Sequence, residues 1–231
     1  MRNRYRWVLA AAFIAVALPA AAERNVAEWF GGEHGARYGE VQGAIERAAE
    51  AALAARVPEE LLVERLAEGA AKGVAPDVLR RAVEDDAAAL ARLAAILDGR
   101  LPRLDAGSRT EALRLGAVAV RGGIGTGTVE TAVARAVDGG RDLGRTMSAL
   151  VAVAALHHGL ALDAERGLAL AEAFALSKEP TSRFGAFVSL MAGARARGLA
   201  AATVVDAALS ALTEGRTLLA LQRALDRRSK R

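Results

Sequence analysis

The chain has 231 residues, 53% hydrophobic and 25% charged with 4% aromatic, a balance that belongs to a folded globular protein and excludes disorder. It has no cysteine, which excludes disulfides, thiolate metal sites, cysteine nucleophiles and thiol redox chemistry. The formal charge of +4 drops to 28 basic against 27 acidic residues without Arg2, Arg4 and Arg6, so the body lacks the basic face that nucleic acids require.

Residues 1–22 read as an export signal. Arg2, Arg4 and Arg6 form a positive lead, Val8 to Leu18 an apolar run, and Ala20-Ala21-Ala22 a small-residue cleavage site. Eleven apolar residues are short for a bilayer span, which needs about 20. We therefore expect cleavage near Ala22 and a periplasmic or secreted mature protein.

The mature chain divides into a helical segment at 23–97, a loop at 98–107 and a helical core at 108–231. Residues 23–38 read as a polar, glycine-broken lead-in. Its Trp29-Phe30 pair either contacts a partner, as interface aromatics do, or plugs the end of the helical body, the cheaper use of so much apolar area. Val41, Ile45, Ala48, Ala52 and Ala55 then recur at helical spacing. Pro58 and Pro76 each read as the first residue of a helix, with acids in the first turn. In the second of these, Leu79, Val83, Leu90, Leu93 and Leu97 share a face. The loop holds Gly99, Pro102 and Gly107, and Ser108 with Glu111 forms a capping box behind it.

Beyond the loop the pattern repeats. Gly123-Ile124, Gly159-Leu160 and Gly198-Leu199 each read as a helix end, 36 and 39 residues apart. A glycine there takes the left-handed conformation and the next apolar residue folds back on the last turn. Breaks at Gly139-Gly140, Lys178-Glu179-Pro180 and Glu214-Gly215 split each interval in two. The fold expected is all-α, about ten helices in antiparallel hairpins stacked as a short α-solenoid-like array. Leu143 to Leu176 holds two segments apolar on most of their circumference, the expected inner layer. The tail is basic: Arg223, Arg227, Arg228, Lys230 and Arg231 stand in the last nine positions, suited to a weak contact with a membrane surface and otherwise to a solvated helix end.

Residues that carry chemistry are sparse. Gly122 to Thr128 follows an apolar run and precedes a helical one, which reads either as a strand, an anion-binding loop and a helix or as a helix cap and a turn. No lysine follows Gly127 as a phosphate loop needs, and the cap reading explains the glycines without a ligand. His157 and His158 diverge by about 100 degrees around a helix; with Asp163 they are weak candidates for a metal or hydrolytic site, and a cap role for the histidines suits the helix dipole better. Glu84-Asp85-Asp86 reads as a solvated acidic face. No serine lies in a nucleophile elbow. We expect no catalytic, cofactor or metal site.

The function expected on these grounds is a non-enzymatic interaction or scaffold protein of the bacterial envelope that recognises a protein partner. The alternative is a periplasmic carrier with an apolar cavity lined by Met147, Leu150, Phe174, Phe184, Phe187 and Met191, holding a lipid or other small hydrophobic ligand.

Overall fold

The computed structural model describes residues 25–215 and 217–229. The export-signal reading of residues 1–22 and the last two basic residues of the tail lie outside them. Eleven α-helices and two 3-10 turns make up the described chain, with no strand among the described residues. The helices are α1 (Val26–Gly31), α2 (Gln42–Ala54), α3 (Glu60–Ala71), α4 (Pro76–Arg100), α5 (Ala106–Arg121) and α6 (Thr126–Asp138). They continue with α7 (Leu143–Leu160), α8 (Ala164–Leu176), α9 (Phe184–Ala196), α10 (Ala201–Thr213) and α11 (Leu218–Ser229). The 3-10 turns are Gly35–Val41 and Thr181–Arg183.

Packing alternates. Among the even helices α2 packs on α4, α4 on α6, α6 on α8 and α8 on α10, while α5 packs on α7, α7 on α9 and α9 on α11. Sequence neighbours such as α7 and α8 also pair, so the chain forms a two-layered stack of helical hairpins, as expected for an α-solenoid-like array. One continuous core runs from Val26 to Leu225, through both halves of the chain. At its centre is α7, which touches α5, α6, α8, α9 and α10 and buries Met147, Leu150, Val153 and Leu156.

Left-handed caps set the repeat. Gly73, Gly123 and Gly198 have φ of +63°, +99° and +97°. In each case the next residue's N–H reaches back over the helix end, as from Ile124 to the Ala119 carbonyl at 3.1 Å. The middle cap is displaced from its expected place. Gly159 lies inside α7, and Ala161 takes the left-handed conformation at φ 46°, with Leu162 N–H donating to the His157 carbonyl at 3.1 Å. The reason is burial: continuing the helix puts Leu160 below the surface, and the later cap puts Leu162 there too. The corresponding caps 123, 161 and 198 are thus 38 and 37 residues apart, while Gly140 and Gly215, at φ +60° and +64°, close α6 and α10 between and after them.

Three further expectations change. The lead-in is largely helical: α1 is capped by Asn25, whose Oδ1 accepts from Glu28 N–H at 2.8 Å, and Tyr38 OH donates to the Val74 carbonyl at 3.1 Å. The loop at 98–107 shrinks to residues 101–105, because α4 runs on to Arg100 and Asp105, not Ser108, caps α5. The Asp105 carboxylate accepts from Ser108 N–H at 2.9 Å, so no capping box forms. Pro58 sits two residues before α3 rather than opening it, while Pro76 does open α4.

Candidate functional site

The groove that best suits a ligand lies on the odd layer, between α5, α7 and the start of α9. Its volume is about 390 Å³, and its walls include Leu115 from α5, Val151 and Ala155 from α7, and Phe184, Gly185 and Val188 from α9. No charged side chain lines it. Ser148 is one of its few polar groups, and its hydroxyl donates to the Gly144 carbonyl of its own helix at 2.9 Å. Such a lining offers apolar area and no acid, base or activated nucleophile; it is suited to holding a chain or a ligand by burial.

Small residues set the spacing of its walls. A side chain at Gly116 would begin 2.9 Å from Leu93 Cδ1 and 3.0 Å from Met147 Cε, and one at Gly122 would begin 2.6 Å from the Ala154 methyl. The α5 backbone therefore lies directly against α7. On the other wall, Phe184 meets Phe174 at 4.9 Å between ring centres, and Phe174 meets Phe187 edge to face at 5.9 Å.

Arg145 fixes that wall. It is the only Arg, Lys, Asp or Glu in α7, and its Nε donates to the Ala175 carbonyl at 2.7 Å. Its Nη2 reaches the carbonyls of Phe174, Ser177 and Glu179 at 3.1, 2.6 and 2.7 Å. A cation thus sits at the negative end of α8 and satisfies carbonyls the helix leaves open. The same guanidinium lies 5.2 Å from the centre of the Phe184 ring, so the turn before α9 is held where the groove needs it.

The residues singled out in the sequence fall in different places. Of the six apolar candidates only Phe184 reaches the groove; Met147, Leu150, Phe174, Phe187 and Met191 are packed in the core at 1% exposure or less. Trp29 and Phe30 close the N-terminal end of the body from inside, their rings 5.0 Å apart and edge to face, and the Trp29 ring is 5.8 Å from Tyr38. His157 and His158 lie in the last turn of α7, their rings 5.1 Å apart. The His157 ring fills the space that a side chain at Gly123 would occupy. Asp163 caps α8, accepting from Arg166 N–H at 2.7 Å. Residues 117–120 belong to α5 and Gly122 to Thr128 forms a helix end, a turn and the next helix start; the strand reading is excluded.

A second cluster differs from its sequence reading. Asp86 is not on a solvated face: it is 6% exposed and faces Arg121 at 3.1 Å and Arg65 at 3.2 Å between α3, α4 and α5. Glu84 pairs with Arg80 and Asp85 is exposed. Burial pushes the Asp86 carboxyl above the usual range despite both arginines. Burial acts the same way on Glu68, but hydrogen bonds from Lys72 and Arg65 outweigh it and hold that carboxyl below the usual range. Arg114 bridges Glu64 and Glu111 beside this cluster, at 2.8 Å each. These groups neutralise one another and tie three helices together.

No family model matches the chain, and no curated protein or solved structure is similar to it at a significant level.

Proposed function

We propose that this protein is an exported, non-enzymatic interaction or scaffold protein of the bacterial envelope, which takes an apolar segment of a partner protein into the α5–α7–α9 groove. One observation carries the reading: the groove is open, of ligand size and lined by no charged side chain, and two of its three walls, α7 and α9, are nearly free of charge. A groove that presents mostly apolar area with small residues between favours an apolar helix face or extended strip over a charged one. The export part of the reading rests on the three-part signature of residues 1–22.

A photo-crosslinking residue at Val151 or Val188 tests it. Crosslinks in the envelope to one protein, lost when Ala155→Asp places a charge in the groove, are the expected result. A groove that captures nothing while the purified protein turns over a substrate would overturn it. The carrier reading draws on the same volume, which falls within the range for small-molecule sites, about 300–1,000 Å³. Native mass spectrometry separates the two: a carrier retains a lipid-sized mass that the Ala155→Asp variant releases.

A further inference from the structure

The charge of the chain is sorted along its length. Residues 23–70 hold ten acidic and five basic side chains, residues 71–180 fourteen of each, and residues 181–231 three acidic and nine basic. In a fold where α2 packs on α4 and, from α4 onward, each helix packs on the one two places along, order along the chain becomes order along the stack. Among the described residues the two ends of the body are therefore oppositely charged, with nine acidic against four basic side chains at 25–70 and three against six at 181–229.

At the basic end, a groove of about 260 Å³ lies between α10 and α11. It is floored by Ala207, Ala211, Leu221 and Ala224 and edged by Arg227 and Arg228. An element there touches both α10 and α11, as α10 touches α8 and α9. Arg228 donates one nitrogen to the Thr203 carbonyl at 3.1 Å, and Arg227 has no ion pair among the described residues. At the acidic end, the outer face of α2 presents Gly43, Glu50, Ala51 and Ala54 to solvent, with Leu53 at 48% exposure. Glu46 stands beside them, accepting from Gln42 Nε2 at 2.8 Å. Arg47 shares the stripe and leaves it net acidic. Small residues there allow close approach, and Leu53 supplies apolar area for the alanine floor opposite.

We infer that copies of this chain associate head to tail, the α2 stripe of one copy seated in the α10–α11 groove of the next, with Glu46 and Glu50 against Arg227 and Arg228. The contact is heterologous, so it propagates into open chains or closes into rings. A symmetric pairing of two grooves would set Arg227 and Arg228 against themselves, which like-charge repulsion disfavours. An anionic lipid surface would use the basic end and leave the acidic one idle.

Analytical ultracentrifugation of the purified protein tests the inference. The average mass should rise beyond a dimer with concentration at low salt and fall back toward a monomer at about 0.5 M NaCl. The variants Arg227→Glu/Arg228→Glu and Glu46→Arg/Glu50→Arg should each weaken association about a hundredfold. Mixed one to one, they should assemble again, because every stripe then meets a groove of opposite charge. Recovery on mixing also shows that both variants are folded. A wild-type protein that stays monomeric at low salt, two variants that fail to pair, or binding to phosphatidylglycerol vesicles without self-association would each overturn it.

Discussion

The two halves of the stack share one apolar core but differ in the charges laid over it. Among the described residues, twelve ion pairs join positions 56 to 121, against three between 135 and 226. Around α3, α4 and α5 the helices meet through Arg65, Glu68, Asp86, Arg114 and Arg121. Around α7 and α9 they meet through leucine, valine, phenylalanine and glycine, and α9 carries no charge before Arg195. Even the arginine of α7 binds carbonyls rather than a carboxylate. Exposed ion pairs contribute little each, whereas burial scales with apolar area. The difference implies that the core stabilises both halves, while ion pairs orient the helices of the first half only.

The strongest way to break that contrast is in the apolar half. Phe187→Ala removes a fully buried ring and should cost about 4 kcal/mol in urea denaturation; a loss below about 1 kcal/mol would contradict the assignment of stability to this core. Arg145→Met should cost about 2 kcal/mol, since it leaves carbonyls at the end of α8 without a donor. Hydrogen exchange should rise at 177–183 more than in α5. Ala161→Gly should work in the other direction, raising stability by about 1 kcal/mol, because a left-handed alanine is strained and glycine is not. Arg56, at φ 59°, is the matching residue of the charged half. Its side chain pairs with Asp98 at 2.7 Å, so Arg56→Gly should gain less.

Two carboxylates sharpen the comparison within the first half. Hydrogen bonding from Arg109 holds Asp98 below the usual carboxylate range. Its contribution is therefore present above the ordinary value and disappears as pH falls through the depressed one. Asp98→Asn should cost about 1 kcal/mol near neutral pH, with the gap to wild type closing in acid. Asp86 has the opposite sign. Its folded value is raised by burial, so its ionised form weighs against folding, and that penalty is relieved as pH falls through the raised value. Asp86→Asn should change stability least of all near neutral pH and should remove this acid-side gain, read as a flatter stability profile.

Much of the architecture could be read from local signals. Pro76 opening α4, the glycines at 73, 123 and 198, and the apolar stripe of α4 are determined by a few residues each, so spacing alone locates them. What escaped depends on contacts from elsewhere in the chain. Gly159 resembles a cap, yet the burial of Leu160 and Leu162 carries the helix past it. Asp86 resembles its acidic neighbours, although it falls between Val83 and Leu90 on the apolar stripe of α4, and that position was the available clue. Asp105 takes the cap because α5 begins at Ala106, which leaves Ser108 inside the first turn as the donor. The groove was legible only in part: Phe184 could be singled out, but Leu115, Val151 and Val188 come together through stacking that no local spacing describes. Arg145 was visible as a lone charge in an apolar helix; its four carbonyl partners were not.

The stacking rule has a consequence for how such a chain changes over time. With corresponding caps at 123, 161 and 198, the unit from one to the next is two successive helices, which meet the two before and the two after through the same even-on-even and odd-on-odd contacts. Duplicating or deleting a whole pair would lengthen or shorten the protein while leaving most of its contacts in place, whereas gaining or losing one helix would exchange the two layers for everything downstream. Length variants of this protein should therefore differ by multiples of the 37–38-residue unit.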